Sequence, residues 1–262
     1  MNRSNLRSAV LLLAVFGSLA ALLLLKPIPQ NPAYHNFADG RVVLGVPHFF
    51  DVISNLPFLL VGVAGLCFCA SRQMAGARSA WIVFFSGVAL VAFGSGHYHW
   101  APTSAALAWD RAPMAVAFMG LLAALIGEAL GARAGRIVLG PAVLMGGASV
   151  AHWHLTDDLR LYAWVQFFPL LLIPLLLVLF PARFTHRGML LVGLGFYGLA
   201  KIAEALDRPV FEATGGVLAG HAVKHVLAAA ACGAILQMLR KRTSVNGQPG
   251  DWSQATPRPP PQ

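Results

Sequence analysis

Charged residues are scarce in this sequence. Asp, Glu, Lys and Arg together make up 11% of its 262 residues, whereas a soluble globular domain carries about 25%. Apolar residues make up 57% of the chain. This balance excludes an ordinary soluble domain and predicts an integral membrane protein.

Acidic residues and cysteines are also few. The 10 acidic residues face 19 Lys and Arg, which gives a formal net charge of +9. Such an excess can indicate nucleic-acid binding, but no nucleic-acid motif accompanies it, so we expect no nucleic-acid partner and place the basic residues in cytoplasmic loops. Cys67, Cys69 and Cys232 all fall in apolar segments, which argues against a disulfide framework.

Long apolar runs fill most of the chain. A helix that crosses about 30 Å of hydrocarbon needs roughly 20 apolar residues. Stretches of about this kind predict helices over 8–25, 50–70, 80–99, 113–131, 136–153, 161–180, 187–204 and 217–239. The predicted fold class is all-α, a polytopic membrane helical bundle.

The basic residues favour alternate connections between these helices. One set of connections holds Arg3, Arg7, Arg72, Arg78, Arg133, Arg136, Arg183, Arg187, Arg240, Lys241 and Arg242. The other set holds fewer basic residues and most of the acidic ones. The positive-inside rule therefore predicts a multi-pass protein with both termini in the cytoplasm. In a bacterial inner membrane the opposite loops would face the periplasm.

Three segments are expected along the chain. Residues 1–30 read as an uncleaved signal-anchor helix, because no clear small-residue cleavage site follows the apolar run before Lys26 and Pro27. Residues 31–242 form the membrane core. Residues 243–262 are rich in Ser, Gly, Gln and Pro, and we expect a disordered cytoplasmic tail there.

A pair of histidines opens the last apolar run, in Gly220-His221-Ala222-Val223-Lys224-His225. Residues four apart on a helix lie about 40° apart around its axis and roughly 6 Å along it, so His221 and His225 share one face. His99 ends another apolar run on the same predicted outer side. The three imidazoles can thus meet at one depth, where polar side chains are costly and usually functional.

Three imidazoles and one open position are the usual ligands of catalytic zinc. Zinc lowers the pKa of a bound water to about 7 and supplies hydroxide at neutral pH. Asp110 is placed to transfer protons. Ser95 lies one turn before His99, where its hydroxyl could donate to an oxyanion. The residues alone leave open that His221 and His225 only form hydrogen bonds between helices and that Ser95 only allows close packing. They also leave open that Asp110 caps a helix or pairs with Arg111.

These residues resemble the alkaline ceramidases, which belong to the CREST group of seven-helix membrane hydrolases together with the adiponectin receptors. The similarity covers about residues 39–239. It lies in Asp51-Val52-Ile53-Ser54-Asn55-Leu56, in Gly94-Ser95 followed by His99, in Trp109-Asp110-Arg111, and in Gly220-His221-Ala222-Val223-Lys224-His225.

The resemblance implies that His99, His221 and His225 bind zinc, that Asp110 assists the metal-bound water and that Ser95 sits beside it. It implies hydrolysis of the amide bond of a ceramide-like lipid to a sphingoid base and a fatty acid. The core would be a seven-helix CREST-like bundle, with the first helix as an addition. Eukaryotic members carry an acidic calcium-binding stretch before this core. The matching residues 35–48 hold one acid, Asp39, so calcium dependence is not expected here.

Two other functions stay open at this point. The chain could be a membrane protein that binds or transports a metal or haem, because all of its histidines except His186 fall on the predicted outer side. It could also be a receptor-type relative with structural zinc, in the opposite orientation. The roles of His97, His152 and His154 are not assigned. Ion pairs are expected here, of Lys201 or Lys224 with Glu204 or Asp207, because an unpaired charge in a membrane segment is costly. The oligomeric state is also open.

Overall fold

The computed structural model describes residues 3–71 and 77–245, and its regular structure is helical. Apart from a 3-10 helix at Pro32–His35 and two isolated backbone bridges, these ranges hold only α-helices, turns and loops. The helices are α1 (Arg3–Leu23), α2 (Phe49–Ile53), α3 (Leu56–Ser71), α4 (Arg78–Trp100), α5 (Ser104–Leu130), α6 (Ala132–Thr156), α7 (Arg160–Leu179), α8 (Met189–Ala205), α9 (Asp207–Ala213) and α10 (Gly220–Lys241).

Seven of these spans are long and apolar enough to cross a bilayer. They are α1, the pair α2 and α3 taken together, α4, α5, α6, α7 and α10. Helix α8 reaches this length only together with α9, and the two are bent by 79° at their junction. The expectation of a multi-pass helical membrane bundle is confirmed, with seven spans or eight if the bent pair is one.

Each of the eight predicted helices overlaps an observed one, and two of them differ most from the prediction. The predicted helix 50–70 is divided at Ser54 and Asn55 into α2 and α3. Helix α5 begins at Ser104 rather than near Pro113, because the Thr103 side chain accepts a hydrogen bond from the Ala106 N–H and caps the helix there. Asp110 therefore lies in the second turn of α5. The sequence-based prediction that Asp110 precedes this helix is wrong.

Small residues bring α4 and α5 into close contact. A Cβ at Gly94 would lie 2.2 Å from the Trp109 carbonyl oxygen, and a Cβ at Gly87 would lie 2.5 Å from the Ala117 nitrogen. Pro113 lacks the N–H that would bond the Trp109 carbonyl in a regular helix. The Gly94 backbone thus lies against the one carbonyl that the proline frees, and such contacts fix helix pairs in membranes.

The helices alternate in direction, as close contacts show for several neighbouring pairs. Gly62 and Gly65 of α3 lie against Ala89 and Phe85 of α4, so the order of contacts is reversed along the two helices. Gly193 of α8 likewise lies against Ala231 of α10, whereas Ala203 lies against Gly220. The C-terminal ends of α4 and α8 therefore meet the N-terminal ends of α5, α7 and α10. We call this the histidine end of the bundle, because it contains the three histidines described below.

Helix α1 packs at the edge of the bundle, against α7. The indole N–H of Trp164 donates to the Ser18 hydroxyl at 3.0 Å, and the Arg160 guanidinium donates to the carbonyls of Leu23 and Leu25. At the other chain end, residues 243–245 pair through their backbone with residues 183–185. The rest of the expected tail, 246–262, lies outside the described residues.

Candidate metal centre

His99, His221 and His225 meet at the histidine end. One ligand nitrogen from each can be chosen so that all lie within 4.8 Å of one another, and all three side chains are buried. The ring centroids are 4.8 Å apart for His99 and His221, 4.9 Å for His99 and His225, and 5.0 Å for His221 and His225. This is the convergence that the sequence predicts, and a metal ion fits between these nitrogens.

His99 lacks the hydrogen-bond partner that a buried imidazole normally has. Its side chain is fully buried, and neither Nδ1 nor Nε2 has a hydrogen-bond partner within the described ranges. Buried polar atoms in proteins almost always have a partner, and a lone one calls for an explanation such as an ion. A cation bound by the three imidazoles would satisfy one of these nitrogens directly. The identity of the metal is not fixed by this geometry.

His225 is oriented by Ser54, a residue to which sequence reasoning gives no role. The Ser54 hydroxyl donates to the Asp51 carbonyl oxygen at 3.0 Å and lies 2.8 Å from Nδ1 of His225. Because the one proton of the Ser54 hydroxyl is donated to the Asp51 carbonyl, the hydroxyl oxygen accepts a hydrogen bond from the Nδ1–H of His225. This assignment leaves the lone pair of Nε2 free, which is the usual arrangement for a histidine that binds a metal.

His221 contacts an ion-pair network. Its Nε2 lies 2.8 Å from Nζ of Lys224, and Lys224 donates to Glu204 at 3.1 Å. Lys201 forms a second ion pair with Glu204. The expected ion pairing is thus confirmed, and Glu204 pairs with both lysines. The carboxylate lies between two ammonium groups and neutralises part of their charge inside the bundle.

Asp207 does not pair with a lysine but caps α10. One carboxylate oxygen accepts the backbone N–H of His221 at 2.7 Å, and the other accepts the N–H of Ala38 at 2.8 Å. Helix α10 has no side-chain cap of its own at Ala219. Asp207 therefore satisfies a free N–H in the first turn of the helix that holds two of the three histidines, and it also ties the loop before α2 to this helix end.

That loop covers the histidines. The ring of Phe37 lies 4.7 Å from the His99 ring and 4.6 Å from the His221 ring, measured between centroids. Tyr34 donates to Glu204 at 3.1 Å. Burial raises the pKa of Tyr34 well above its usual value, so the hydroxyl keeps its proton and remains the donor. The loop before the first core helix is thus part of the site.

Asp110 and Ser95 lie together on facing helices. The Ser95 hydroxyl lies close to the Asp110 carboxyl, and both residues are buried. Both also line a cavity of about 270 Å³ that includes His225 and Lys224 at its polar end. Away from this end the walls are largely apolar, with Phe84, Val88, Leu121, Ile173, Leu190 and Ile235 among the lining residues. The cavity can take a hydrocarbon chain whose polar end reaches Asp110.

Arg111 is a further residue of this wall. Its guanidinium carbon lies 3.9 Å from the Trp153 ring centroid and 4.9 Å from that of Tyr162. Its Nη2 donates to the Gln30 side chain at 2.6 Å. Cation–π contacts of this kind hold a guanidinium where few anions are near. Arg111 thereby joins α5 to α6, α7 and the segment after α1.

Other polar residues stay outside the triad. Within the part of the chain that the structure describes, one group of His, Cys, Asp or Glu side chains is close enough together to share a metal ion. It consists of His99, His221 and His225. His97 and His154 are exposed, and His152 lies 3.7 Å from Asp158.

In the loop before α2, burial raises the pKa of the Asp39 carboxyl, but hydrogen bonds from Arg41 hold this pKa below its usual value overall.

Comparison of the chain with models of protein families, with curated proteins and with solved structures gives no match.

Proposed function

We propose that this chain is a zinc-dependent integral-membrane amidase of the alkaline ceramidase kind, with a seven-helix CREST-like core preceded by α1. Its substrate is a ceramide-like lipid, which it cleaves to a sphingoid base and a fatty acid. The observation that supports this best is the buried histidine triad, with both nitrogens of His99 unpartnered in the described chain, beside a largely apolar cavity.

The donor set suits zinc. Neutral imidazole is a common zinc ligand, and three of them with an open fourth position are typical of catalytic sites. When bound, zinc supplies a Lewis acid for the carbonyl oxygen and a water molecule that is acidic enough to attack at neutral pH. His99, His221 and His225 would hold it, with Ser54 fixing the orientation of His225.

Asp110 is the group that moves the proton. Its carboxylate accepts a proton from the attacking water and delivers it to the amide nitrogen as the C–N bond breaks, so that the free amine and the carboxylic acid leave. Ser95 lies close to this carboxylate and lines the same cavity. A serine hydroxyl that donates to a carboxylate has no second proton for an oxyanion. Oxyanion donation by Ser95 therefore stays a prediction.

The cavity explains why the substrate is a lipid. Its polar end contains Asp110, Lys224 and His225, and its walls are formed largely by the apolar side chains of membrane helices. An acyl chain that enters from the bilayer keeps an apolar environment along its length. Its carbonyl carbon then lies near the histidines, just inside the histidine end of the bundle.

A metal transporter needs a polar route through the bundle, and the opposite end offers little support for one. There the carboxylate of Glu128 accepts from the Trp81 indole at 3.0 Å and pairs with Arg242. Both contacts use Oε1, which thereby joins α4, α5 and the residue that follows α10. This favours the amidase over a metal or haem carrier. A receptor-type relative with structural zinc would share the triad but would not turn over lipid.

The test uses the purified full-length protein loaded with zinc and incubated with N-hexadecanoylsphingosine in mixed micelles. Mass spectrometry of free fatty acid measures hydrolysis. Asp110→Asn is expected to lower the rate by about 100-fold or more, in line with the loss of a general acid and base. Its zinc content should equal that of the parent.

Asp157→Asn is the matched control, because Asp157 is exposed in the α6–α7 loop. It should hydrolyse the lipid at the parent rate. The proposal is wrong if the zinc-loaded parent releases no fatty acid, or if Asp110→Asn is as active as the parent.

A further inference from the structure

A polar pair lies within the otherwise largely apolar part of the cavity. Gln166 of α7 donates from Nε2 to the Tyr197 hydroxyl of α8 at 2.6 Å. Both residues line the cavity, on the walls that α7 and α8 contribute. Nearby lining residues such as Phe118, Leu170, Leu194 and Ile235 are apolar. The pair is not needed for the proton transfer described above.

The pair does not use up its own hydrogen-bonding capacity. The amide of glutamine offers two donor hydrogens and an oxygen acceptor, and the tyrosine hydroxyl offers one donor and an acceptor. Within the described ranges one hydrogen bond joins them and neither side chain has another. The amide oxygen of Gln166 and the hydroxyl proton of Tyr197 thus remain free to form hydrogen bonds. A plain hydrocarbon chain in the cavity would cover both groups without pairing them, which is unfavourable.

The depth of the pair relates it to the scissile bond. His225 is about 7.5 Å from the start of α10, and Gln166 is about 9 Å from the start of α7, at 1.5 Å per residue. Tyr197 is about 12 Å from the end of α8 on the same scale. All three helix ends lie at the histidine end. A chain whose carbonyl is at the histidines therefore passes Gln166 and Tyr197 with its first few carbons.

We infer that Gln166 and Tyr197 select an acyl chain with a hydroxyl group near its carbonyl, at the second or third carbon. This rests on the proposed amidase function, and it names the class of lipid that the enzyme takes. The hydroxyl donates to Oε1 of Gln166 and accepts from the Tyr197 hydroxyl. A plain chain leaves both groups unpaired. A preference of about tenfold is expected, the size that one such buried hydrogen bond gives.

The experiment measures binding and turnover separately. Binding is followed by thermal stabilisation of the full-length protein, with hexadecanoic, 2-hydroxyhexadecanoic and 3-hydroxyhexadecanoic acid as probes. Turnover is followed as kcat/KM on the three corresponding N-acylsphingosines. At least one hydroxylated probe should exceed the plain one about tenfold in affinity and in kcat/KM.

Two variants locate the preference. Gln166→Leu and Tyr197→Phe keep the volume of the wall and each remove one of the two groups that contact the hydroxyl. The ratio of hydroxylated to plain probe should therefore fall in each variant and reach about one in the double variant. Affinity for the plain acid should stay the same or rise. That acid serves as the internal control for folding, because a misfolded variant would lose it too.

Each outcome bears on one of the two proposals. A hydroxyl preference in binding with no turnover of any amide rejects the amidase and leaves the selectivity of the pocket standing. Turnover with equal kcat/KM and equal affinity for plain and hydroxylated chains overturns the inference and leaves the amidase. Absence of binding by all three acids, or a preference that both variants retain, also overturns the inference.

Discussion

Replacing Ser54 by alanine should weaken metal binding without unfolding the protein. The Ser54 hydroxyl lies 2.8 Å from Nδ1 of His225 and is fixed by the Asp51 carbonyl at 3.0 Å. Its loss frees the ring to change tautomer and to rotate away from the other two histidines. Removal of such a partner typically lowers metal affinity by about 10- to 100-fold. This is about 1.4–2.8 kcal/mol of binding free energy.

Ser71→Ala is the matched control. Ser71 makes the same local bond, to the carbonyl three residues earlier, at 3.0 Å from Phe68, but it lies at the far end of α3. Competition of the metal-free protein with a chelating indicator for zinc measures the affinity of each variant. The reasoning fails if Ser54→Ala binds zinc within twofold of the parent, or if Ser71→Ala loses as much affinity as Ser54→Ala.

Two further predictions concern the bundle. Gly94→Ala should lower the free energy of unfolding by about 1–3 kcal/mol, because its methyl group would lie 2.2 Å from the Trp109 carbonyl and force α4 and α5 apart. Gly96→Ala meets no atom within 4 Å and should be neutral or slightly stabilising. Glu204→Gln should cost about 3 kcal/mol, because it leaves two ammonium groups without a counter-charge. Exposed Glu212 provides the control Glu212→Gln. Thermal unfolding in detergent measures all four, and equal midpoints within either pair would contradict the packing or the ion-pair argument.

The sequence predicts the triad because its pattern is local. The i, i+4 spacing fixes His221 and His225 on one face of any helix, and alternation of apolar runs brings the end of the run at His99 to the same side. An ion pair of Lys201 or Lys224 with a nearby carboxylate follows from the cost of an unpaired charge among membrane helices. Both are physical constraints that hold without knowledge of the tertiary contacts.

What the sequence does not predict depends on contacts between distant segments. Ser54 contacts His225, and Asp207 caps α10, because helix packing brings these residues together. No spacing in the sequence predicts either contact. Phe37 covers the histidines from a loop with no periodic pattern. The start of α5 is missed because a proline is favoured in the first helical turn and costly later. Gly94 and the Thr103 cap stabilise the longer helix instead.

The central claim is that three imidazoles share one metal ion, and metal analysis of the purified protein tests it most directly. After zinc loading and desalting, elemental mass spectrometry should find one zinc per chain in the parent and almost none in His99→Ala. His97→Ala, in which an exposed histidine two residues away is removed, should keep the zinc of the parent. No retained metal in the parent, or an undiminished content in His99→Ala, would contradict the account.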